Sequence, residues 1–292
     1  MTDTTRAYLF ALLTVFFWST VATAFKIALR YLDIYQLILY AATTATLILL
    51  AAVSIRGEAR LLVSTFKRHW RITVLCGALN PFLYYLILFA AYDRLPAQVA
   101  QPINYTWAIV LTFLSIIVLR QRITVSDLVA AFVCYSGVVV IAIQGHWRTI
   151  EIPDGFGLFL ALLSTVIWAS YWLINIRDER SPTLALCLNF LAALPLALAA
   201  CVLMSSIVPP SVPGLGAAVY VGFFEMGFSF LLWSHALRLA ENTSRVSNLI
   251  FLSPFLSLVF IHYIVGEPIY GTTYAGLLII VGGLAIQRLN RT

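Results

Sequence analysis

Ala11-Leu12-Leu13-Thr14-Val15-Phe16-Phe17-Trp18 is answered, 150 positions further on, by Ala161-Leu162-Leu163-Ser164-Thr165-Val166-Ile167-Trp168. Both stretches lie inside long apolar runs. Gly137-Val138-Val139-Val140-Ile141 is answered in the same way, 146 positions later, by Gly283-Leu284-Ala285-Ile286-Gln287. Internal likeness in a chain this apolar marks a membrane protein assembled from repeats, with its binding site between them.

Composition sets the solvent. Of 292 residues, 62% are hydrophobic and 10% charged, where a soluble domain carries about 25% charged residues. Lipid must therefore cover much of the surface. Apolar runs of ~20 residues cross hydrocarbon as helices, because lipid offers nothing to an unpaired backbone N–H or C=O. Ten such runs are readable, at about 7–29, 34–55, 72–92, 97–119, 125–144, 155–175, 183–205, 214–237, 243–264 and 270–289. The connections between them are short. Arg6, the first run and Ala22-Thr23-Ala24 imitate a signal peptide. The run is long for one, however, and has an internal counterpart around Trp168, so it reads as a retained span.

The net charge of +6 is not a nucleic-acid signature, because of where the charges fall. With the N-terminus in the cytoplasm, fourteen of the eighteen Lys and Arg lie in cytoplasmic segments, and Lys26, Arg30, Arg94 and Arg148 lie on the other side. That asymmetry places both termini in the cytoplasm. Five spans per half is an odd number, so the second half enters the membrane from the opposite face. The expectation is an all-α polytopic fold of ten transmembrane helices in two inverted five-helix repeats, 1–145 and 150–292, around a central cavity. Cys76, Cys134, Cys187 and Cys201 all sit in apolar spans with no C-x-x-C spacing, and read as small buried hydrophobes. No metal site or other cofactor is expected.

The repeated Trp motif, the ten spans, and Pro254 followed by Gly266-Glu267-Pro268 together resemble the drug/metabolite transporter superfamily, EamA type. Within it the chain is similar to the YddG-type bacterial exporters of aromatic and other neutral amino acids. The likeness covers essentially the whole chain. It implies the inverted-repeat fold, a multi-pass protein of the bacterial inner membrane, and amino-acid export. The first repeat departs from the pattern, with Ala108 and Arg120-Gln121 where span nine has Pro254 and Gly266-Glu267. An Arg common in the family's second span is replaced by Tyr40-Ala41-Ala42.

Several residues are candidates to line a solute path. Gln98, Gln101 and Tyr105 fall on one stripe of span four. A shift of 146 gives Ser244, Ser247 and Phe251 in span nine, with Asn248 beside them. Gln101, Tyr105, Ser247 and Asn248 are the expected lining residues; the alternative is interhelical glue of a kind common in membrane bundles. Trp18, Trp168, Tyr171 and Trp172 lie too deep for an interfacial belt, and either wall the site or pack helices. Glu225 is the one acid deep in any span, and an acid at that depth costs about 3 kcal/mol on insertion scales. It is expected to meet a substrate ammonium or to carry a proton. A shift of 145 makes Asn80 its counterpart and pairs Tyr84 with Ser229.

The spans hold almost no deep cation to grip a phosphate. A neutral or zwitterionic solute fits better, and both a hydrophobic amino acid and a small organic cation or drug meet these demands. The family likeness favours amino acids, moved outward by alternating access. An intramembrane enzyme would need paired catalytic groups at depth, which are absent from the sequence. A non-transporting sensor is disfavoured by the inverted repeats. The expected partners are the small-molecule substrate and the bilayer.

Overall fold

The computed structural model describes residues 2–119, 125–146, 154–175, 177–207, 210–240, 246 and 249–289. Among them there is no strand. The helices are α1 (Asp3–Leu29), α2 (Ile34–Ile55), α3 (Leu62–Gly77), α4 (Tyr84–Arg94), α5 (Ala97–Asn104), α6 (Trp107–Leu119) and α7 (Val125–Ala142). They continue as α8 (Gly155–Asn175), α9 (Pro182–Met204), α10 (Val212–Tyr220), α11 (Phe228–Leu239), α12 (Leu252–Phe260) and α13 (Gly271–Leu289). Six helical runs are long and apolar enough to cross a bilayer: Asp3–Leu29, Ile34–Ile55, Ala59–Arg94, Gly155–Asn175, Pro182–Met204 and Val212–Leu237. Shorter apolar helices accompany them at Leu128–Ala142, Leu252–Val265 and Gly271–Ile286. The chain is a polytopic helical membrane protein.

Local chemistry sets the boundaries. Asp33 accepts from the backbone N–H groups of Tyr35 and Gln36, while the Gln36 side chain accepts from the Asp33 N–H. This reciprocal cap starts α2 sharply after a three-residue turn. Pro182 opens α9 at a position where its missing N–H costs nothing. The span expected over 97–119 is broken at Tyr105. There Thr106 donates from both its N–H and its hydroxyl to the Ile103 carbonyl, and Pro102 has no N–H to continue the ladder.

The two halves of the chain pack in matching ways. α1 lies on α11 as α8 lies on α4, and α1 lies on α12 as α8 lies on α6. α2 meets α9, and α7 meets α13. The closest approaches also correspond. A Cβ at Gly77 would run into the carbonyl oxygen of Asn189, and a Cβ at Gly222, 145 positions later, into that of Ala41. Small residues at these crossings let backbones touch where hydrophobicity alone gives helices no reason to associate in lipid. One large apolar core runs through the bundle, with Tyr85, Phe25, Phe89 and Phe190 among its fully buried side chains. All four cysteines are buried thiols.

Candidate functional site

Two helices are interrupted at equivalent depth. Between α3 and α4, residues Ala78–Leu83 form a wide turn in which Asn80 leaves helical geometry (φ −145°, ψ 119°) ahead of Pro81. Between α10 and α11, Val221–Gly227 form a second wide turn that carries Glu225. Pro81 cannot donate to the ladder, and Gly227, with no Cβ, takes the non-helical backbone (φ −108°, ψ −82°) that ends the second turn. Glu225 Oε1 accepts a hydrogen bond from the Tyr85 hydroxyl at 3.1 Å, which ties the second interruption to the helix that follows the first.

Beside Glu225 lies a cavity of about 280 Å³. Its wall comes from α1, α4, α5 and α6 in the first half and from α8, the Glu225 turn and α11 in the second. Ten of its lining side chains are aromatic, and Glu225 is the one charged group among them. Trp168 is the hub. Its ring sits 4.5 Å from Tyr84, 5.9 Å from Trp172 and 5.9 Å from Phe230. Trp18 reaches the same Phe230 at 5.8 Å and Trp233 at 5.6 Å. The polar lining is sparse and partly uncommitted. Tyr84 donates to Asn104 Oδ1 (3.2 Å), and Asn104 donates to Ser164 Oγ (2.9 Å). Gln101 Oε1 and the indole N–H groups of Trp18 and Trp172 have no hydrogen-bond partner among the described residues. A buried polar atom left in that state costs about 1–3 kcal/mol.

Trp172, Phe230, Trp233 and Leu237 also line a second chamber of about 290 Å³, whose other lining residues include Asp178, Arg180 and Pro182. On the Phe25 side two layers of contacts lie next to the cavity. Phe25 packs against Phe89 and Tyr92 with ring centroids 5.0 and 5.1 Å apart. Above them, the Glu267 carboxylate accepts from the N–H groups of Ala97 (2.9 Å) and Gln98 (3.2 Å), the free donors at the start of α5. The Gln98 side chain returns the contact, donating to Pro268 O (2.6 Å) and accepting from Thr273 Oγ1 (2.8 Å) and Tyr270 N (3.3 Å). Lys26 Nζ donates to the carbonyls of Tyr92 (2.7 Å) and Leu95 (3.1 Å), the free acceptors at the end of α4. Arg30 reaches Val265 O at 3.0 Å, and Arg94 pairs with Asp154 at 3.0 Å. The Gly157 N–H and Arg94 hold the Asp154 carboxyl below its ordinary range.

The end near Arg180 is built differently. Arg180 grips Asp178 through Nε and a terminal nitrogen, and donates to Thr73 Oγ1 (2.6 Å) and Asn189 Oδ1 (3.2 Å). Burial pushes Asp178 up, but the Arg180 bonds outweigh it and leave the carboxyl below the usual range. Ser181 adds a bond to Glu58 at 3.1 Å. These bonds join the segment after α2, α3 and α9; none of them reaches α1, α11 or α12.

The EamA-like transporter family model matches this chain twice, over residues 5–143 and 155–288. The chain belongs to the EamA-like transporter family. Two proteins of Archaeoglobus fulgidus, each described as an uncharacterized transporter, are 28% and 25% identical to it. The first match covers 94% of this chain and 95% of the relative, the second 95% and 96%. The uncharacterized transporter YvbV of Bacillus subtilis is 23% identical over 75% of this chain and 72% of its own. A solved structure superposes with a TM-score of 0.71 at 22% identity, covering 98% of this chain and 97% of that one, and so shares the fold. The family and the relatives' names make this EamA-like protein a membrane transporter rather than an enzyme.

Of the residues singled out in the sequence, Trp18, Tyr84, Gln101, Tyr105, Trp168, Trp172 and Glu225 line the central cavity. Tyr171 lines the second chamber. Asn80 is fully buried behind the wall, with both amide atoms unpartnered. Ser229 is also fully buried, and donates to the Phe224 carbonyl, closing the Glu225 turn. Ser247 and Asn248 lie outside the described residues. Gln98, grouped by periodicity with the polar stripe, belongs to the contacts around Glu267: the chain bends at Tyr105, and Glu267 draws the start of α5 away from the cavity. Lys26 caps α4 instead of reaching for the interface. Sequence reasoning passed over Tyr92, Asn104, Trp107, Phe230 and Trp233. The last two lie at i and i+3 of α11, two turns beyond Glu225, and that spacing is the signal that was available.

Proposed function

We propose that this EamA-like protein is a secondary transporter that exports aromatic and other neutral amino acids across the bacterial inner membrane by alternating access. The single observation that carries the reading is the aromatic cavity with one carboxylate. The Glu225 carboxylate and the surrounding ring faces suit an ammonium group. The unpartnered indole N–H groups of Trp18 and Trp172 suit a carboxylate, and the remaining rings suit an apolar side chain. The matched packing of the two halves, the doubled family match and the odd span number per half support two inverted five-helix repeats, ten spans in all, with repeats at 1–145 and 150–292. The bias of Lys and Arg supports cytoplasmic termini. On that orientation the Glu267 end faces outward and the passage stands open to the cytoplasm.

Reconstitution into liposomes with labelled phenylalanine, tryptophan and leucine tests this. Saturable flux is expected, with Glu225→Gln lowering it by about tenfold or more, a loss of ~1.4 kcal/mol or more in substrate stabilisation. Absence of flux for every amino acid tried overturns the substrate assignment. A second reading has its own support: no Lys or Arg is among the described residues lining the central cavity, which favours a small organic cation. If tryptamine or phenethylamine is carried and tryptophan is not, that reading replaces the first.

A further inference from the structure

The helical run from Ala59 to Arg94 is too long for the membrane it crosses. Its 36 residues compare with the ~20 that cross a hydrocarbon core of about 30 Å as a helix. Roughly the first third must lie outside the core. That part ends at a kink, where His69 leaves helical geometry (φ −123°, ψ 26°). Its composition is also distinct. Leu62, Val63, Phe66 and Trp70 fall on one stripe at helical spacing, flanked by Arg60, Lys67 and Arg71, with Arg68 further round.

Leu62 packs against the core, but the rest of the stripe and the cations are not taken up by the protein. Val63 is 66% exposed, Trp70 52% and Phe66 40%. Arg60, Lys67, Arg68 and Arg71 are all exposed. Residues 59–92 contain no acid, and the neighbouring Glu58 is engaged by Arg56 and Ser181. The Arg71 guanidinium lies 5.5 Å from the Trp70 ring centre, so an aromatic ring and a cation share one level. An exposed apolar stripe bordered by cations matches a surface that offers hydrocarbon below and negative charge above. A nucleic acid or an acidic protein would satisfy the cations and leave the stripe in water.

We propose that the segment from Ala59 to Arg71 lies in the membrane–water interface and binds anionic phospholipid headgroups through Arg60, Lys67, Arg68 and Arg71. Only the choice of leaflet, the cytoplasmic one, rests on the orientation proposed above. The segment has a direct connection to the site. α3 continues through the Ala78–Leu83 turn to Tyr84 and Tyr85, and Thr73 on α3 holds Arg180. The headgroups therefore anchor the base of the helix that carries the partner of Glu225.

Native mass spectrometry of the full chain, titrated with phosphatidylglycerol and phosphatidylcholine, tests the proposal without reference to transport. Each Lys or Arg near an anionic surface contributes about fivefold, the equivalent of ~1 kcal/mol. The wild type should retain phosphatidylglycerol preferentially, and the variant R60Q/K67Q/R68Q/R71Q should lose at least about tenfold of that preference. Free glycerol phosphate should not displace the lipid. Displacement by it would assign the cations to a soluble phosphate compound and overturn the interfacial assignment. Equal retention of the two lipids by the wild type, or an unchanged preference in the variant, overturns the proposal. A spin label at Val63→Cys, which leaves the cations intact, should report a shallow depth within the bilayer; full exposure to water would contradict it.

Discussion

The Glu267 and Arg180 ends of the cavity region are built from different bonds. Toward Glu267, charged and amide side chains bond to the backbone of the opposite half: Glu267 to α5, Gln98 to the segment after α12, and Arg30 to Val265. Toward Arg180, an equally dense set of bonds joins α3, the segment after α2 and α9. Both sets cross between the halves, and they differ in what they grip: the Glu267 set reaches backbone atoms, largely at helix ends, and the Arg180 set runs from side chain to side chain. Glu267 accepts two backbone N–H bonds at a helix start. Its counterpart by the 146-residue shift is Gln121, which has no charge to offer a helix dipole.

A covalent lock should break the comparison most completely. Oxidising a Gln98→Cys/Pro268→Cys pair ties α5 to the segment after α12. Flux in proteoliposomes should fall to background and return on reduction. Undiminished flux in the cross-linked protein would mean that this end need not open. Next in size is Gly222→Val, which drives a side chain into the Ala41 carbonyl. Overpacking of this kind costs about 1–3 kcal/mol, read as a lower melting temperature, and Gly77→Val should cost a similar amount through Asn189. A large difference between the two would show that the halves are not packed alike.

Removing the latch is a finer probe. Glu267→Ala takes a carboxylate from a helix start, an interaction of about 0.3–1 kcal/mol and up to ~2 when partly buried. The population open at the Glu267 end should rise by several-fold, measured as faster thiol labelling of a Phe25→Cys reporter from that side. Glu267→Gln should fall between the two. Asp154→Asn should change least, because its Arg94 partner is half exposed and such pairs contribute little. Its labelling rate should match the wild type.

Much of this was legible in the residues. The Trp18 and Trp168 copies, the run of spans and the depth of Glu225 follow from periodicity and from the cost of charge in lipid. The correspondence of Asn80 with Glu225 survives in three dimensions as a pair of interrupted helices. What escaped shows where one-dimensional reading ends. Phe230 and Trp233 are aromatic residues in an aromatic-rich span, where only their spacing beyond Glu225 set them apart. Gln98 shares the polar stripe of Gln101 and Tyr105 but was not among the expected lining residues, and its partner Glu267, 169 positions away, could not be read from spacing. The carbonyls that Lys26 caps belong to another helix and were equally unreadable. Asn80 shared the sequence position of Glu225 without sharing its access to the cavity: it is fully buried and absent from the lining.

The proposed passage is shut at the Glu267 end and open at the Arg180 end. The direct test places a single cysteine at Trp233 in a background lacking the four buried thiols. It is labelled with a membrane-impermeant reagent from each side of oriented vesicles. Rapid labelling from the Arg180 side and protection from the Glu267 side are expected, with the protection relieved when a transported solute is added. Labelling at equal rates from both sides, with or without solute, would contradict it.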